Sequence, residues 1–282
     1  MTLARLTIRP MRAADTETAA DLLRRGDFGE RLPFLDWALD RPTIACLVAE
    51  VDGAIVGTGV GSAQGAVGWV GVIFVAAAHR RSGLGTRITT AVIDDLESRG
   101  CRTQVLIASP AGRPVYERLG FRALDRQVRV TIAGLPPDPG PPDPRLRPYA
   151  ATDLDAVLAL DRSATGEDRR AVLEALLSPA DATVAIGGDG AVRGFLARPP
   201  WRGGAVIAPD PDDALRLLEA RRRAAGVDGI AGTGVLASNV VGRERLRAAG
   251  WTEELGGTRM VRGEPLDWHP EAIWGQLNGA LG

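Results

Sequence analysis

Residues 67–86 read VGWVGVIFVAAAHRRSGLGT, and this stretch decides the fold of the chain around it. It opens with an apolar, β-branched run that predicts a buried strand from Val67 to Val75. A basic turn with two glycines follows, and a helix pattern begins directly behind it. The apolar positions of that helix share one face, which Arg99-Gly100 ends; they are Leu84, Ile88, Ala91, Val92 and Leu96.

A strand, a glycine-bearing turn and a helix N-terminus together form a site suited to phosphate. The unpaired N–H groups of a first helical turn point outward, and the helix dipole places about half a positive charge there. Gly83 and Gly85 let the backbone approach a ligand closely, and Arg80 and Arg81 add formal charge. The turn is therefore predicted to bind a diphosphate.

The common nucleotide-binding patterns do not fit this turn. It contains neither Gly-x-Gly-x-x-Gly nor Gly-Lys-Ser/Thr. A second glycine-rich run at residues 57–61 has no helix pattern behind it, so it is interpreted as part of a strand. That strand follows Asp52-Gly53, a strong hairpin signal between the β-rich runs 45–51 and 54–60.

Two motifs in the first half resemble one known family. The hexapeptide Arg80-Arg81-Ser82-Gly83-Leu84-Gly85 matches Gln/Arg-x-x-Gly-x-Gly/Ala, the signature of the GNAT acetyltransferase superfamily at a strand-to-helix junction. Further along, residues 115–121 read VYERLGF and resemble the family's Tyr-x-x-x-Gly-Phe helix end. The resemblance extends over residues 6–132. It implies a mixed, mostly antiparallel sheet flanked by helices and transfer of an acetyl group from acetyl-CoA to an amine.

The resemblance also implies roles for particular residues. The strand end is implied to hydrogen-bond the pantetheine arm through its main chain and to polarise the thioester carbonyl; it comprises Ile73, Phe74 and Val75. The turn and first helical residues are implied to bind the diphosphate; they are Arg80, Arg81, Ser82, Gly83, Leu84, Gly85 and Thr86. Ser109 stands where the family often has a pantetheine-binding Asn. Tyr116 is implied to be the general acid that protonates the departing thiolate.

The sequence leaves the general base open. No carboxylate lies between Val67 and Val75. Asp27, Glu30 and Asp36 lie where acceptor-binding loops are expected, but each is better suited to be a solvated charge or a helix cap than a base. A chain of water molecules is at least as good an alternative.

A proline-rich joint and two internal echoes predict a duplicated domain. Residues 135–145 read LPPDPGPPDPR, which can form neither a helix nor a sheet ladder. They separate a predicted catalytic domain (1–134) from a second domain (146–282). RPMRAAD at 9–15 is echoed by RPYAATD at 147–153, and AS…GF at 108–121 by AS…GW at 237–251. The predicted fold class is α/β, with two GNAT folds in tandem.

The second half is predicted to have lost the chemistry of the first. Residues 205–208 and a helix at 214–223 take the places of the phosphate-binding strand and helix. The junction between them reads PDPDD, whose carboxylates cap the helix and repel a diphosphate. Leu246 stands four residues before Gly250, as Tyr116 stands before Gly120, and it has no proton to donate.

Composition excludes several other classes of protein. The 34 basic residues, all arginine, and 35 acidic residues nearly cancel, which argues against a nucleic-acid partner. Cys46 and Cys101 are too few for a disulfide framework or a cysteine zinc site, so no metal is expected. Neither has a histidine nearby in sequence, which favours direct transfer over an acyl-enzyme. With no secretory leader or membrane-spanning run, a cytoplasmic protein without a membrane partner is expected.

The leading functional prediction is an acetyl-CoA-dependent N-acyltransferase that acts on a small-molecule amine. Use of another acyl donor or of a protein acceptor stays open, because nothing in the turn specifies either. A coenzyme A-binding sensor or scaffold without turnover is the alternative from a different class. Tyr116 argues against the sensor, whereas the missing strand carboxylate favours it. The identity of the acceptor and the oligomeric state are not predicted.

Overall fold

The protein is described by a computed structural model, which covers residues 5–26, 28–135, 140–201 and 203–282. Its strands are β1 (Leu6–Pro10), β2 (Ile44–Val51), β3 (Ala54–Gln64), β4 (Val67–Val75), β5 (Thr103–Ala108), β6 (Arg122–Ala133), β7 (Leu146–Pro148), β8 (Ala182–Ile186), β9 (Val192–Ala197), β10 (Val206–Ile207), β11 (Ile230–Leu236), β12 (Thr252–Gly263) and β13 (Ile273–Gly275). Its helices are α1 (Thr16–Arg25), α2 (Leu32–Leu39), α3 (Leu84–Ser98), α4 (Arg113–Arg118), α5 (Leu154–Thr165), α6 (Arg170–Leu176), α7 (Pro211–Ala225) and α8 (Val240–Ala248).

The chain forms two compact units, and unit 1 includes two short segments from the C-terminal part of the chain. Unit 1 comprises Met1–Ala123, Met260–Glu264 and Gly279–Gly282, and unit 2 comprises Leu124–Arg259 and Pro265–Asn278. Strand β6 has β11 and β12 as its neighbours in the sheet, and β12 also neighbours β5, so that its end belongs to unit 1. The linear domains 1–134 and 146–282 stay a prediction. Residues 136–139 of the proline-rich joint lie outside the described residues.

The first four strands of unit 1 form an antiparallel meander. β1 pairs with β2, β2 with β3, and β3 with β4. Asp52 and Gly53 connect β2 to β3 with φ angles of 49° and 87°, as a two-residue turn with both central residues in the left-handed region requires. The hairpin prediction is confirmed, and residues 57–61 lie within β3 as expected.

Helix α3 packs closely on a stripe of glycines in the sheet. Its buried face includes Leu84, Ile88, Val92 and Leu96, in agreement with the predicted periodicity. A Cβ placed on Gly57 or Gly59 would lie 2.7 or 2.6 Å from the Ile88 side chain. The glycines of β3 therefore serve close packing of α3, which sets the position of its N-terminus.

Strands β4 and β5 are paired only along their first residues. Their parallel pairs run from Val67↔Thr103 to Trp69↔Val105. Val72 bulges out of β4 with φ 52°, a strained conformation for a β-branched residue, and shifts the register with β3. No pairs beyond Trp69 join β4 to β5 in the described chain. We call this opening between residues 70–75 of β4 and the end of β5 the fork.

Unit 2 contains the remaining strands, with α7 as its longest helix. β6 pairs antiparallel with β11, and a separate sheet has the order β13-β10-β9-β8-β7. Leu217 and Leu218 of α7 pack in a buried cluster with Trp251 and Trp274. Where a strand was predicted at residues 205–208, only Val206–Ile207 are paired.

The predicted echo at the start of each half corresponds to the same local structure. In unit 1, Arg9 Nη1 donates to Asp15 Oδ2 at 2.6 Å, and in unit 2, Arg147 Nη1 donates to Asp153 Oδ2 at 2.7 Å. Each aspartate also accepts a backbone N–H from three residues earlier at 2.8 Å. These hydrogen bonds to arginine are the main cause of the lowered pKa of both carboxyls. Each corner fixes the turn from the first strand into the first helix of its unit.

Among the described residues, none of the helices combines the length and the apolar character needed to cross a bilayer.

Candidate active site

The turn before α3 presents a concave surface of backbone amides. Arg81 and Gly83 both have left-handed φ angles, 62° and 81°, and Gly83 is the N-cap of α3. This geometry turns successive N–H groups toward one side, the arrangement that binds anions. The first helical amides have no partner within α3 because a helix leaves its first N–H groups unpaired. We call residues 81–86 the phosphate turn.

The two glycines of the phosphate turn act in different ways. Gly83 is required by its left-handed φ, since a side chain there costs roughly 1–2 kcal/mol. Gly85 has no such constraint, and a Cβ on it would meet only Val75 Cγ2, at 3.8 Å. Gly85 therefore leaves open a space over the first helical turn that a side chain would fill.

Arg80 is directed back toward the strand rather than over the turn. Its Nε donates to the Val75 carbonyl at 3.0 Å, and its guanidinium lies 5.6 Å from the centre of the Phe74 ring. Ser82 Oγ donates to the His79 carbonyl at 2.6 Å and so closes the turn. Arg81 is exposed. The structure thus brings both arginines to the edge of the phosphate turn, with Arg80 positioned at the strand end.

The predicted pantetheine-binding strand end lies on one arm of the fork. The bulge at Val72 places Ile73 toward α3, where a Cβ on Gly59 would meet its Cδ1 at 3.1 Å. Phe74 faces the other way and packs edge-on against Phe28, with ring centres 5.4 Å apart. Among the described residues, the main chain of residues 70–75 has no pairing with β5, although Thr58 Oγ1 donates to the Val72 carbonyl at 2.8 Å and Arg80 Nε to the Val75 carbonyl at 3.0 Å.

Tyr116 is buried in a cluster that includes residues from both arms of the fork. It belongs to a cluster with Val70 of β4 and Ala108 of β5, and its ring packs edge-on against Phe121 at 6.0 Å. Burial raises the pKa of its hydroxyl to about 12, so the group is protonated at neutral pH. Within the described residues, no hydrogen bond of this hydroxyl is recorded. Tyr116 can therefore donate a proton to a ligand group that enters the cluster.

Ser109 stands at the end of β5 and is already used by the local backbone. Its Oγ accepts the Gly112 N–H at 3.1 Å, which shapes the turn into α4. The hydroxyl keeps its own proton for a second hydrogen bond. The predicted contact of Ser109 with pantetheine stays a prediction.

The structure describes two of the three carboxylates considered as general base, Glu30 and Asp36. Glu30 accepts the Leu32 N–H at 2.9 Å and an Arg24 N–H at 2.8 Å, and these contacts lower its pKa. A carboxylate held in this way is a weaker base and serves the start of α2. Asp36 is exposed on α2, and Asp27 lies outside the described residues. None of these observations assigns the base.

The corresponding region of unit 2 has a different chemistry. Asp210 caps α7, where its carboxylate accepts the N–H groups of Asp212 at 2.8 Å and Asp213 at 3.2 Å. Asp213 lies 3.3 Å from Arg145, and Leu246 is fully buried in the apolar cluster of α8. The α7 N-terminus therefore already has its anion, supplied by the chain itself.

Two features of the site have no clear signal in the sequence. The bulge at Val72 depends on how β4 pairs with β3, and a valine gives no local indication of a left-handed φ. Gly112 makes room for the general-acid candidate, because a Cβ there would lie 3.1 Å from the Tyr116 ring. A glycine directly before Arg-Pro indicates a turn, but not which side chain it accommodates.

Comparison with known proteins shows which family these elements belong to. The model of the acetyltransferase (GNAT) family matches residues 10–121, and that of an acetyltransferase (GNAT) domain matches residues 157–275. The uncharacterized N-acetyltransferase YitH of Bacillus subtilis is 28% identical over 165 residues. The glucosamine 6-phosphate N-acetyltransferase of Trypanosoma brucei brucei is 36% identical over 67 residues. The aligned segments span 57% and 46% of these two relatives, and 57% and 24% of the present chain.

A solved structure shows the same fold over nearly the whole chain. The crystal structure of a protein from Pyrococcus horikoshii, proposed to be an acetyltransferase, superposes with a TM-score of 0.83 at 22% identity. The match covers 98% of this chain and 96% of that one. Together, the two family matches and the shared fold establish that the chain belongs to the GNAT acetyltransferase family and carries two GNAT domains in tandem.

Proposed function

We propose that this protein is an N-acyltransferase that moves an acetyl group from acetyl-CoA directly to a small amine, using the site in unit 1. The observation that carries the proposal is the phosphate turn of α3 next to an open fork. Acetyl-CoA carries a diphosphate and a thioester on one extended molecule. The phosphate turn would bind the diphosphate, and the neighbouring fork would hold the thioester. Unit 2 offers no second such site among its described residues, since Asp210 occupies the amides of α7.

The donor would be held mainly by backbone groups. Amides of residues 81–86 would bind the diphosphate, with the dipole of a 15-residue helix behind them and Arg80 and Arg81 at the edge. The main-chain edge of residues 73–75 next to β5 would hydrogen-bond the pantetheine arm, with the Val75 carbonyl already accepting from Arg80, and Ser109 would contact the arm from β5. These contacts would put the thioester between the two arms of the fork.

The reaction requires one proton to be delivered and one to be removed. The amine nitrogen forms a bond to the thioester carbon, and the C–S bond of the tetrahedral intermediate then breaks. Main-chain N–H groups at the strand end would stabilise the oxyanion, and Tyr116 would give its hydroxyl proton to the sulfur. The proton lost by the nitrogen leaves to solvent, from which Tyr116 is reprotonated. The products are the N-acetylated amine and coenzyme A.

A small acceptor is proposed on the basis of one relative. Glucosamine 6-phosphate N-acetyltransferase, which matches a 67-residue segment, acts by its name on a small amino sugar. The acceptor of the present chain is a separate question, because acceptor pockets lie on variable loops. A protein acceptor is the alternative within the same reaction class.

Release of free thiol from acetyl-CoA, measured across a panel of small amines and one peptide panel, tests the proposal. We expect amine-dependent release together with binding of coenzyme A by calorimetry. Longer acyl-CoA donors belong in the same panel. Binding without release from any donor would support a sensor or scaffold, and the absence of binding would overturn both functions.

A further inference from the structure

Residues from the far end of the sequence lie against β4 in unit 1. Gly279–Gly282, the return segment, belong to this unit. A Cβ on Gly71 would lie 2.5 Å from the Gly279 carbonyl oxygen and 2.5 Å from Ala280 Cβ, so the two backbones are in direct contact. Gln64 Nε2 donates to the Leu281 carbonyl at 3.0 Å, and Ala280 and Leu281 are buried. The return segment is thus a fixed part of the unit.

The return segment lies at the fork, on the side of the sheet away from α3. Gly71 is two residues beyond Trp69, the last residue of β4 that pairs with β5. Side chains alternate along a strand, and Gly68 and Val70 face α3. Gly71 and the return segment therefore face the opposite side. Tyr116 clusters with Val92 and Leu96 of α3, so the proposed proton donor and the proposed phosphate turn both belong to the α3 side, and the opposite side is the one left for the amine.

Gly279 differs from its neighbours because it borders open space. A Cβ built on it would meet no atom within 4 Å, and its φ lies outside the left-handed region. The residue is exposed, whereas Ala280 and Leu281 behind it are buried. A side chain at position 279 would therefore project into free space beside the fork without disturbing the packing of the unit.

We infer that Gly279 is a specificity position of the acceptor site. Its missing side chain leaves room beside the fork, and the size of that room limits which amines can reach the thioester. This inference rests on the proposed function, because it requires that the fork is where acyl transfer takes place. Gly279 makes no contribution to the proton transfers and acts only through space.

Graded substitutions in the full chain test the inference. Gly279→Ala, Gly279→Leu and Gly279→Trp are expected to raise the KM for the amine progressively, by about tenfold or more for Trp, and most for the bulkiest amines. The affinity for coenzyme A and the melting temperature are expected to stay near those of the parent. Gly188→Leu and Gly188→Trp are the matched controls, because a Cβ on Gly188 also meets nothing within 4 Å and its φ is also outside the left-handed region.

The possible outcomes separate this inference from the proposed function. If the parent protein transfers acetyl groups and Gly279→Trp has the same KM values for the same amines, the inference is overturned and the proposed function stands. Loss of coenzyme A binding in Gly279→Trp would place the residue on the donor side and would also overturn it. Absence of transfer by the parent protein would overturn the proposed function and the inference together. Should Gly279→Trp unfold, the Ala and Leu variants carry the same comparison.

Discussion

Two helix N-termini, that of α3 in unit 1 and that of α7 in unit 2, differ in how the amides of their first turn are capped. Both helices are 15 residues long and follow a strand. At α3 the cap is Gly83, which brings no side chain and leaves the amides of the first turn exposed to a ligand. At α7 the cap is Asp210, whose carboxylate accepts hydrogen bonds from two amides of the first turn of that helix. The chain itself therefore supplies an anion to the first turn of α7 but not, through its cap residue, to that of α3.

The same pair of regions also differs in proton chemistry. Tyr116 has a hydroxyl beside the fork, whereas Leu246 at the corresponding place is an apolar core residue. At this position, unit 2 therefore lacks the hydroxyl that unit 1 has, and α7 has a side-chain cap where α3 has none.

The largest expected effect comes from removing the proton donor. In Tyr116→Phe the ring and its packing on Phe121 stay, so we expect kcat to fall about 10²- to 10³-fold while coenzyme A binds as before. Steady-state kinetics and calorimetry measure the two quantities. Tyr149→Phe changes the other tyrosine of the chain, which is also buried, and is expected to leave kcat unchanged. An equal loss in both variants would contradict the role of Tyr116.

The pH dependence gives an independent measure of the same group. Burial raises the pKa of Tyr116 to about 12, so the hydroxyl keeps its proton throughout the neutral and mildly alkaline range. We therefore expect that ionisation of Tyr116 does not lower kcat of the parent protein below roughly pH 10. Any fall of kcat in that pH range should then also be present in Tyr116→Phe. A fall that is absent from Tyr116→Phe would show that the phenol ionises more readily than its burial indicates.

The next prediction gives the first turn of α3 a carboxylate, as the first turn of α7 has one. Gly85→Asp adds a carboxylate to the first turn of α3, where only Val75 lies near the new Cβ. Repulsion between like charges is expected to weaken coenzyme A binding about 100-fold, allowing for screening by solvent. Gly85→Asn has the same shape without the charge, and a loss of less than about tenfold is expected from it. If calorimetry gives equal losses, filling of space rather than charge is responsible.

A smaller effect is expected from straining the phosphate turn. Gly83→Ala puts a Cβ on a residue with φ 81°, which costs roughly 1–2 kcal/mol and favours rotation of the neighbouring amides. We expect about tenfold weaker coenzyme A binding. Gly190→Ala is the matched control, since Gly190 has φ 79° and equally open surroundings in the turn between β8 and β9. Both variants should lose similar stability, and only Gly83→Ala should lose affinity.

The smallest effect is expected at the other helix end. Asp210→Ala removes the cap of α7 and is expected to lower the free energy of unfolding by about 1 kcal/mol, without any change in coenzyme A affinity. Denaturant titration measures the first quantity. Asp212→Ala loses only an exposed ion pair with Arg245 and should cost less than about 0.5 kcal/mol. A gain of coenzyme A binding in either variant would mean that unit 2 retains a hidden donor site.

The local elements of unit 1 could be predicted because their signals are short-range. The Asp52-Gly53 turn, the strand from Val67 to Val75 and the helix beginning at Leu84 each lie where turn chemistry and periodicity placed them. The cap at Asp210 is equally local. Patterns of this kind need only the residues within one or two turns of the chain.

The remaining features depend on contacts between residues far apart in sequence. The pairing of β6 with β11 rather than with a strand of the first half follows from long-range ladder formation, which periodicity does not report. Contact of Gly279 with Gly71 joins residues more than two hundred positions apart. The sequence around each glycine does not indicate which residue the glycine contacts. The position that is inferred to limit the choice of acceptor, Gly279, could therefore not be predicted from sequence patterns.

The placement of C-terminal segments in unit 1 also constrains how the chain can be made. Unit 1 needs Met260–Glu264 beside β5, so a ribosome that has finished residue 123 has not yet supplied all of this unit. At roughly 5–20 residues per second, completion waits on the order of ten seconds, during which an edge of β5 is exposed. A cut after Ala123 would leave unit 2 whole but would take Met260–Glu264 and Gly279–Gly282 away from unit 1, so no single cut in the chain yields both units whole.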